Sequence, residues 1–396
     1  MRARFSLLFF VSALFLPAAG EANAYQDVLL QQATPRFTVL SNHRNKHLIP
    51  GRRGGGGAQL VQWNGKFRDT SRSTITFTMV GTDPSRNNAA TTIPIVIVPI
   101  KMVYGSNNGH MSFDPASHIV QGTTKTVLQL ILGSPVFKSS IVYQQGGVNL
   151  GQGLPGGGAT QYSDAFQRGN FWSSVKTNTA YQVLLGSPTV LSTQAIQVTP
   201  TQGKVIRNPF GASSVGTMDI RLFDLYLQSY MSTFSATITA NVLPLFITYN
   251  VFLTDGACCI AGYHSANGAQ PSGQTYAYST FVDDPGSFAQ DVSAISHEVG
   301  EWMDNPFADN LVNCSNDNTN GYLEVGDPLE GDTNSGAYAY RVNGYSYNLQ
   351  SLAFMPYWGA PTNTSVNEWY TFQGSPTQNP ASHDSRTGVC PGPQHA

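Results

Sequence analysis

The chain alternates or runs apolar in the manner of strands over several stretches. Thr74-Ile75-Thr76-Phe77-Thr78-Met79-Val80 alternates, whereas Ile93-Pro94-Ile95-Val96-Ile97-Val98-Pro99-Ile100 is an unbroken branched run. The first predicts a strand with one exposed face and the second a strand buried on both. A third run, Val242 to Leu253, leads toward the adjacent Cys258 and Cys259. Prolines inside these runs place parts of them at sheet edges or bulges, because proline has no N–H to give to a ladder. Tyr338 to Tyr347 alternates around Asn343-Gly344, a dipeptide suited to a tight hairpin turn. Helical spacing appears over 220–234, where Leu222, Leu225, Leu227, Met231 and Phe234 mark an apolar face. It appears again over 285–304 through Phe288, Val292, Ile295, Val299 and Trp302 or Met303, with Ser287 as the expected N-cap. A shorter helix is expected near 162–172, where Asp164, Arg168 and Trp172 read as an ion-paired packing unit. Strands in number with a few helices predict an α+β, β-rich fold built around one buried helix.

The first residues change the picture of where the protein works. Met1-Arg2-Ala3-Arg4, an apolar run from Phe5 to Leu16 and the ending Ala22-Asn23-Ala24 follow the order of a secretory signal peptide over 1–24. No later stretch reaches the ~20 apolar residues of a membrane helix, so no membrane partner is expected. Residues 25–72 include the basic and Gly-rich stretch from His43 to Gly57, which reads as a flexible lead-in. A β-rich region over 73–250 and a site-bearing region over 251–396 complete the expected division. Only 11% of residues are charged, against ~25% on average; solubility then rests on Asn, Gln, Ser, Thr, Tyr and Gly. A net charge of -2 offers no attraction to nucleic acid or to an anionic membrane. In an exported chain the four cysteines, Cys258, Cys259, Cys314 and Cys390, read as disulfides. A bond between the adjacent pair distorts the usual disulfide geometry, so each is expected to reach Cys314 or Cys390 instead.

One segment carries chemistry. Ser296-His297-Glu298-Val299-Gly300-Glu301-Trp302 lies in the expected 285–304 helix. His297 and Glu301, four apart, share one helix face with Cβ atoms ~6 Å from each other, a separation suited to two ligands of one cation. Glu298 points about a quarter turn away, where the general base of the H-E-x-x-H metalloproteases is found. The carboxylate of Glu301 stands where those enzymes have histidine. Carboxylate oxygen ligates zinc at ~2.0–2.2 Å, so the geometry survives. The site with a third carboxylate becomes formally neutral, which weakens acidification of bound water and favours a harder ion such as manganese beside zinc. A third ligand is expected from a segment that returns to this helix; Glu324 lies twenty-three positions after Glu301, in Tyr322-Leu323-Glu324-Val325-Gly326-Asp327.

This arrangement resembles the thermolysin-like gluzincins, whose downstream glutamate ligand is also followed closely by an aspartate that steadies a ligand histidine. The resemblance implies a zincin-like catalytic part, with Glu324 as ligand and Asp327 steadying His297 or replacing Glu324. The set His297-Glu298-Val299-Gly300-Glu301, Asn305-Pro306, Glu324-Val325-Gly326-Asp327 and the Asn343-Gly344 hairpin also resembles the plant phosphate-induced or EXORDIUM-like proteins over about residues 290–360. That family is extracellular and linked to cell-wall growth. A competing feature is the calcium-loop-like spacing of Asn316, Asn318, Asn320, Gly321 and Asp327; His264 reads as an ordinary loop histidine, with the alternative that a disulfide at the neighbouring cysteines draws its loop into the site. The expectation is a secreted, metal-dependent, peptidase-like hydrolase acting on a peptide or protein. Its alternative is an extracellular protein in which the same residues hold a structural ion.

Overall fold

The computed structural model describes residues 33–40, 58–69, 71–139, 141–312 and 321–374. Its strands, in chain order and as numbered here, include β1 (Arg36–Leu40), β2 (Gln62–Arg68), β3 (Thr74–Val80), β4 (Ile95–Tyr104), β5 (Thr189–Val190), β6 (Gln194–Val198) and β7 (Val205–Arg207). They continue with β8 (Ser214–Asp219), β9 (Leu243–Tyr249), β10 (Val251–Asp255), β11 (Ala257–Asn267), β12 (Gln274–Phe281), β13 (Ala337–Val342) and β14 (Tyr345–Gln350). Three helices matter to the site: α1 (Tyr162–Asn170), α2 (Ile220–Thr233) and α3 (Ser293–Asp304). The chain is mixed α/β and strand-rich, 22% helix and 36% strand.

An 11-stranded sheet organises the molecule, with a spine ordered β5-β4-β9-β12-β11-β10-β8-β7. It curls into a half-barrel. The branched run of β4 pairs in parallel with β9, β5 and β6 and is buried along almost its whole length, as parallel strands covered on both faces are. Its prolines are not at sheet edges. Pro99 sits where β4 exchanges β5, which ends opposite Ile97, for β6, which begins opposite Ile100, so its missing N–H falls in a gap. Pro244 precedes the first residue of β9 paired with β12, Leu245, and needs no partner on that side. The division expected at residue 250 falls inside this sheet, since β9 and β10 both belong to it.

The expected local elements form for the reasons their sequences suggest. α2 occupies 220–233, capped by Asp219, whose side chain accepts from the Arg221 and Leu222 amides. β13 and β14 make the hairpin, with Asn343 and Gly344 both at positive φ. α3 begins at Ser293 rather than near 285, because Ala289 and Asp291 take positive φ. Ser287 is therefore no cap. Its hydroxyl turns to the Phe288 carbonyl and takes a bond from Asn208. Every residue of α3 is buried: it packs against β11 and β12, β14, α1 and β3. Gln167 of α1 donates to Asp304, and Asn310 ties the Asp304 carbonyl to the Thr78 carbonyl of β3.

Three expectations need correction. Part of the 25–72 lead-in is ordered structure: β1 pairs in parallel with β11, and β2 pairs with β3. The physical anchor of β1 is Phe37, 5% exposed, which its Gly-rich neighbours hid in a composition argument. The adjacent Cys258 and Cys259 are bonded to each other, across a cis peptide that brings their Cα atoms to 3.1 Å; Cys314 and Cys390 lie outside the described residues. Asp164 and Arg168 are not an ion pair. Fully buried Asp164 accepts from Thr160, Gln182 and the Val183 amide, while the Arg168 guanidinium donates to the carbonyls of Leu150, Tyr181 and Gln152.

Arg168 thus braces those three carbonyls, and Asp164 acts on it as a nearby charge without direct contact. Arg168→Met keeps the buried apolar stem and strands the carbonyls. We expect a loss of about 3 kcal/mol in urea denaturation, from leaving buried acceptors unbonded; a loss under about 1 kcal/mol would show that the carbonyls find other donors.

Candidate metal centre

The 3.6-residue period of α3 sets His297 and Glu301 on one face, and their side chains meet: His297 Nε2 lies 3.0 Å from Glu301 Oε1. The contact is close without being an aligned hydrogen bond, since neither ring nitrogen of the buried His297 has a hydrogen-bond partner. Asp327 Oδ1 stands 3.5 Å from the same Nε2. Two donors bound to one cation at ~2.0–2.2 Å stand roughly 3.3 Å apart at a tetrahedral angle. The three atoms thus have the spacing of ligands, and His297, Glu301 and Asp327 form one group able to hold an ion.

A second group shares Glu301. Its other oxygen, Oε2, is 3.8 Å from His264 Nδ1, and Glu298 Oε2 is 3.4 Å from that nitrogen. His264 Nε2 lies 3.1 Å from the Asn305 carbonyl, which only accepts, so the ring proton sits on Nε2. Nδ1 therefore presents a bare lone pair to two carboxyl groups. Such a pair needs a proton or a cation between them. Glu324 is on this side: its Oε1 takes a bond from Asn305 Nδ2 at 2.5 Å, and its Oε2 is 3.7 Å from His264 Nε2. The structure thus brings Asp327, not Glu324, into the group with His297 and Glu301, and Glu324 meets Glu301 from the His264 side.

The reason lies in two glycines. A Cβ on Gly326 would stand 2.3 Å from His297 Nδ1, so only glycine lets the 321–327 segment lie flat on the imidazole. The Gly326 amide then donates to Glu301 Oε1 at 3.0 Å, and the next residue, Asp327, arrives at the ring edge. On the opposite wall a Cβ on Gly262 would stand 2.5 Å from Glu298 Oε1. Gly262 and His264 are two apart on β11, hence on one face of the strand, and both face α3. That Gly-x-His spacing was the available signal for His264, which belongs to a strand and not to a loop.

Burial governs the electrostatics. His264, His297, Glu298 and Glu324 are 0% exposed, Glu301 1% and Asp327 4%. Burial first, and then neighbouring carboxylates, push the Glu298 and Asp327 carboxyls well up; burial pushes Glu301 and Glu324 to about 8. Glu330, beside them, is pushed to about 8 by burial against the pull of Arg36. Burial lowers both histidines, opposed by Glu324 at His264 and by Asp327 at His297. Four buried carboxyl groups and two imidazoles, with half-buried Glu330 at the border, therefore crowd one volume that takes up either protons or a multivalent cation. The donor set of imidazole and carboxylate fits zinc or manganese. Of the calcium-like spacing, Asn316, Asn318 and Asn320 lie outside the described residues, while Asp327 is committed to this centre.

No family model, no curated protein and no solved structure matches the chain.

Two outcomes follow from this geometry. Gly326→Ala should abolish stoichiometric zinc or manganese uptake, read by elemental analysis, while the far-ultraviolet circular dichroism stays that of the parent; retained metal would show that His297 is not a ligand. With folded values of about 8 against an ordinary 4.5, Glu301 and Glu324 bind more protons folded than unfolded between these limits. Stability of the metal-stripped protein must then fall as pH rises from about 5 to about 8, because the folded form progressively loses protons it favours. Excess zinc should flatten that slope in a thermal melt, since a cation replaces the protons.

Proposed function

We propose that the protein is an exported metal-dependent hydrolase acting on peptide bonds, with zinc or manganese held by His297, Glu301 and Asp327. The observation that carries the reading is the His297–Glu301–Asp327 group with a further buried acid, Glu298, one turn of wall away. Bound there, a divalent cation supplies Lewis-acid polarisation of a carbonyl and of the attacking water. Glu298 is the proton acceptor. Its Oε1 has no hydrogen-bond partner although fully buried, which leaves that oxygen to take a proton and return it. His264, bonded to the Asn305 carbonyl, faces Glu298 from the far side. Asn305 holds Glu324, and Glu324 together with the Gly326 amide bonds the Glu301 carboxyl, so that this group keeps one orientation. The signal-like N-terminus supports export, and the likeness of 297–327 to the gluzincin pattern supports hydrolysis.

A structural cation is the second reading, and one observation favours it: every group in the centre is almost wholly buried. The two readings separate on Glu298. Glu298→Gln should lower turnover of a peptide library about 10²–10⁴-fold with metal content and melting temperature unchanged, whereas His297→Ala should lose both metal and activity. Parent protein that carries stoichiometric metal and cleaves no peptide would leave only the structural role.

A further inference from the structure

The element that seals the centre is β1. The Phe37 ring stacks on the His297 imidazole, centroids 3.6 Å apart and planes 21° from parallel, and the Phe37 amide donates to the Glu330 carboxyl. The strand takes up the side of β11 that β10 leaves beyond Ile260, β12 holding the other side. It pairs in parallel with β11 from Arg36 opposite Ile260 to Leu40 opposite Ser265. The Thr34 amide donates to the Cys258 carbonyl and the Cys259 amide to the Thr34 carbonyl, both at 2.9 Å, and Ser265 donates to the Leu40 carbonyl at 2.6 Å. Within β1 only Phe37 is buried. Its ring enters a small aromatic cluster with Phe252 and Phe288, separate from the main core. Outside the strand a cavity of about 840 Å³ opens between residues 34–38, Phe210, Phe288 and residues 330–335. Lifting β1 would extend that cavity down to His297.

We infer that the groove filled by residues 33–40 is the binding site for an extended peptide with a large aromatic side chain, and that β1 is its built-in, inhibitory occupant. The backbone bonds to β11 recognise any extended chain, as in strand addition to a sheet edge. The aromatic cluster under Phe37 sets the side chain, and the Glu330 carboxyl receives the amide of that residue. This deepens the hydrolase reading and rests on it for the fate of the peptide, but the seal itself depends only on what covers His297.

The test uses the full chain with Phe37→Ala. In metal-stripped protein, modification of His297 by diethyl pyrocarbonate, mapped by mass spectrometry, should run at least about tenfold faster in the variant, because a local opening replaces a packed ring. A synthetic peptide of residues 33–40 in excess should restore protection, and the same peptide with alanine for its phenylalanine should not. With zinc restored, the variant should cleave peptides bearing Phe or Tyr faster than the parent. Phe37→Leu, which keeps an apolar anchor without the ring stack, should shift His297 modification in the same direction by less and serves if the alanine variant does not fold. Equal modification of His297 in parent and variant, or no protection by the peptide, overturns the proposal. Unmasked His297 with no cleavage by either zinc-loaded protein would keep the groove and overturn the hydrolase.

Discussion

The structure depends on one electrostatic constraint: Glu298, Glu301, Glu324 and Asp327 are gathered with His264 and His297 in a buried volume, and half-buried Glu330 borders it. An isolated buried carboxylate is among the most expensive groups a fold can carry. Arg36 eases Glu330, and His264 and His297 ease Glu324 and Asp327 when they carry a proton, so positive charge at the ring edges enters as protons or as a metal ion. The arrangement of donors argues for the ion. A proton satisfies a hydrogen bond along a line, whereas His297 and Glu301 approach within 3.0 Å without that alignment, as atoms do that point at a third.

The rest of the fold reads as support for that cluster. α3 is buried on every side, which an amphipathic helix never is, and its polar residues are tolerated because each wall presents a matching group. β11 brings His264 and the bare face of Gly262, the 321–327 segment brings Gly326 and Asp327, and Asn305 at the end of the helix ties His264 to Glu324. Asp304 is taken up by Gln167 of α1, and so α1 is fastened to the same helix. Mixed pairing in the sheet allows this. Parallel β9 and antiparallel β11 flank β12, and the helix lies across their common face.

β1 stands apart energetically. It contributes one buried side chain and a set of main-chain bonds at an edge, and its aromatic cluster does not join the main core. Local opening is cheapest where few apolar contacts are lost. Opening β1 therefore loses one buried side chain, while His297 and Glu301 sit on a helix buried on every side.

The elements were largely legible in the chain itself, because periodicity records which face a segment buries: β3, β4, α2, the 338–347 hairpin and the helix bearing His297 and Glu301 all follow from it. That pair was legible too, since i, i+4 geometry is local. What tertiary structure alone decided was everything delivered from a distance. The pattern of 321–327 held two carboxylates, and only the packing of Gly326 on the imidazole chose Asp327 for His297 and sent Glu324 to His264. His264 reads from the sequence as an ordinary loop histidine, and only strand pairing turns it toward Glu298. Phe37 lay in a stretch whose composition spoke for flexibility; its burial arises from a sheet edge and an aromatic pocket made by residues more than two hundred positions away, and no local pattern encodes contacts of that range.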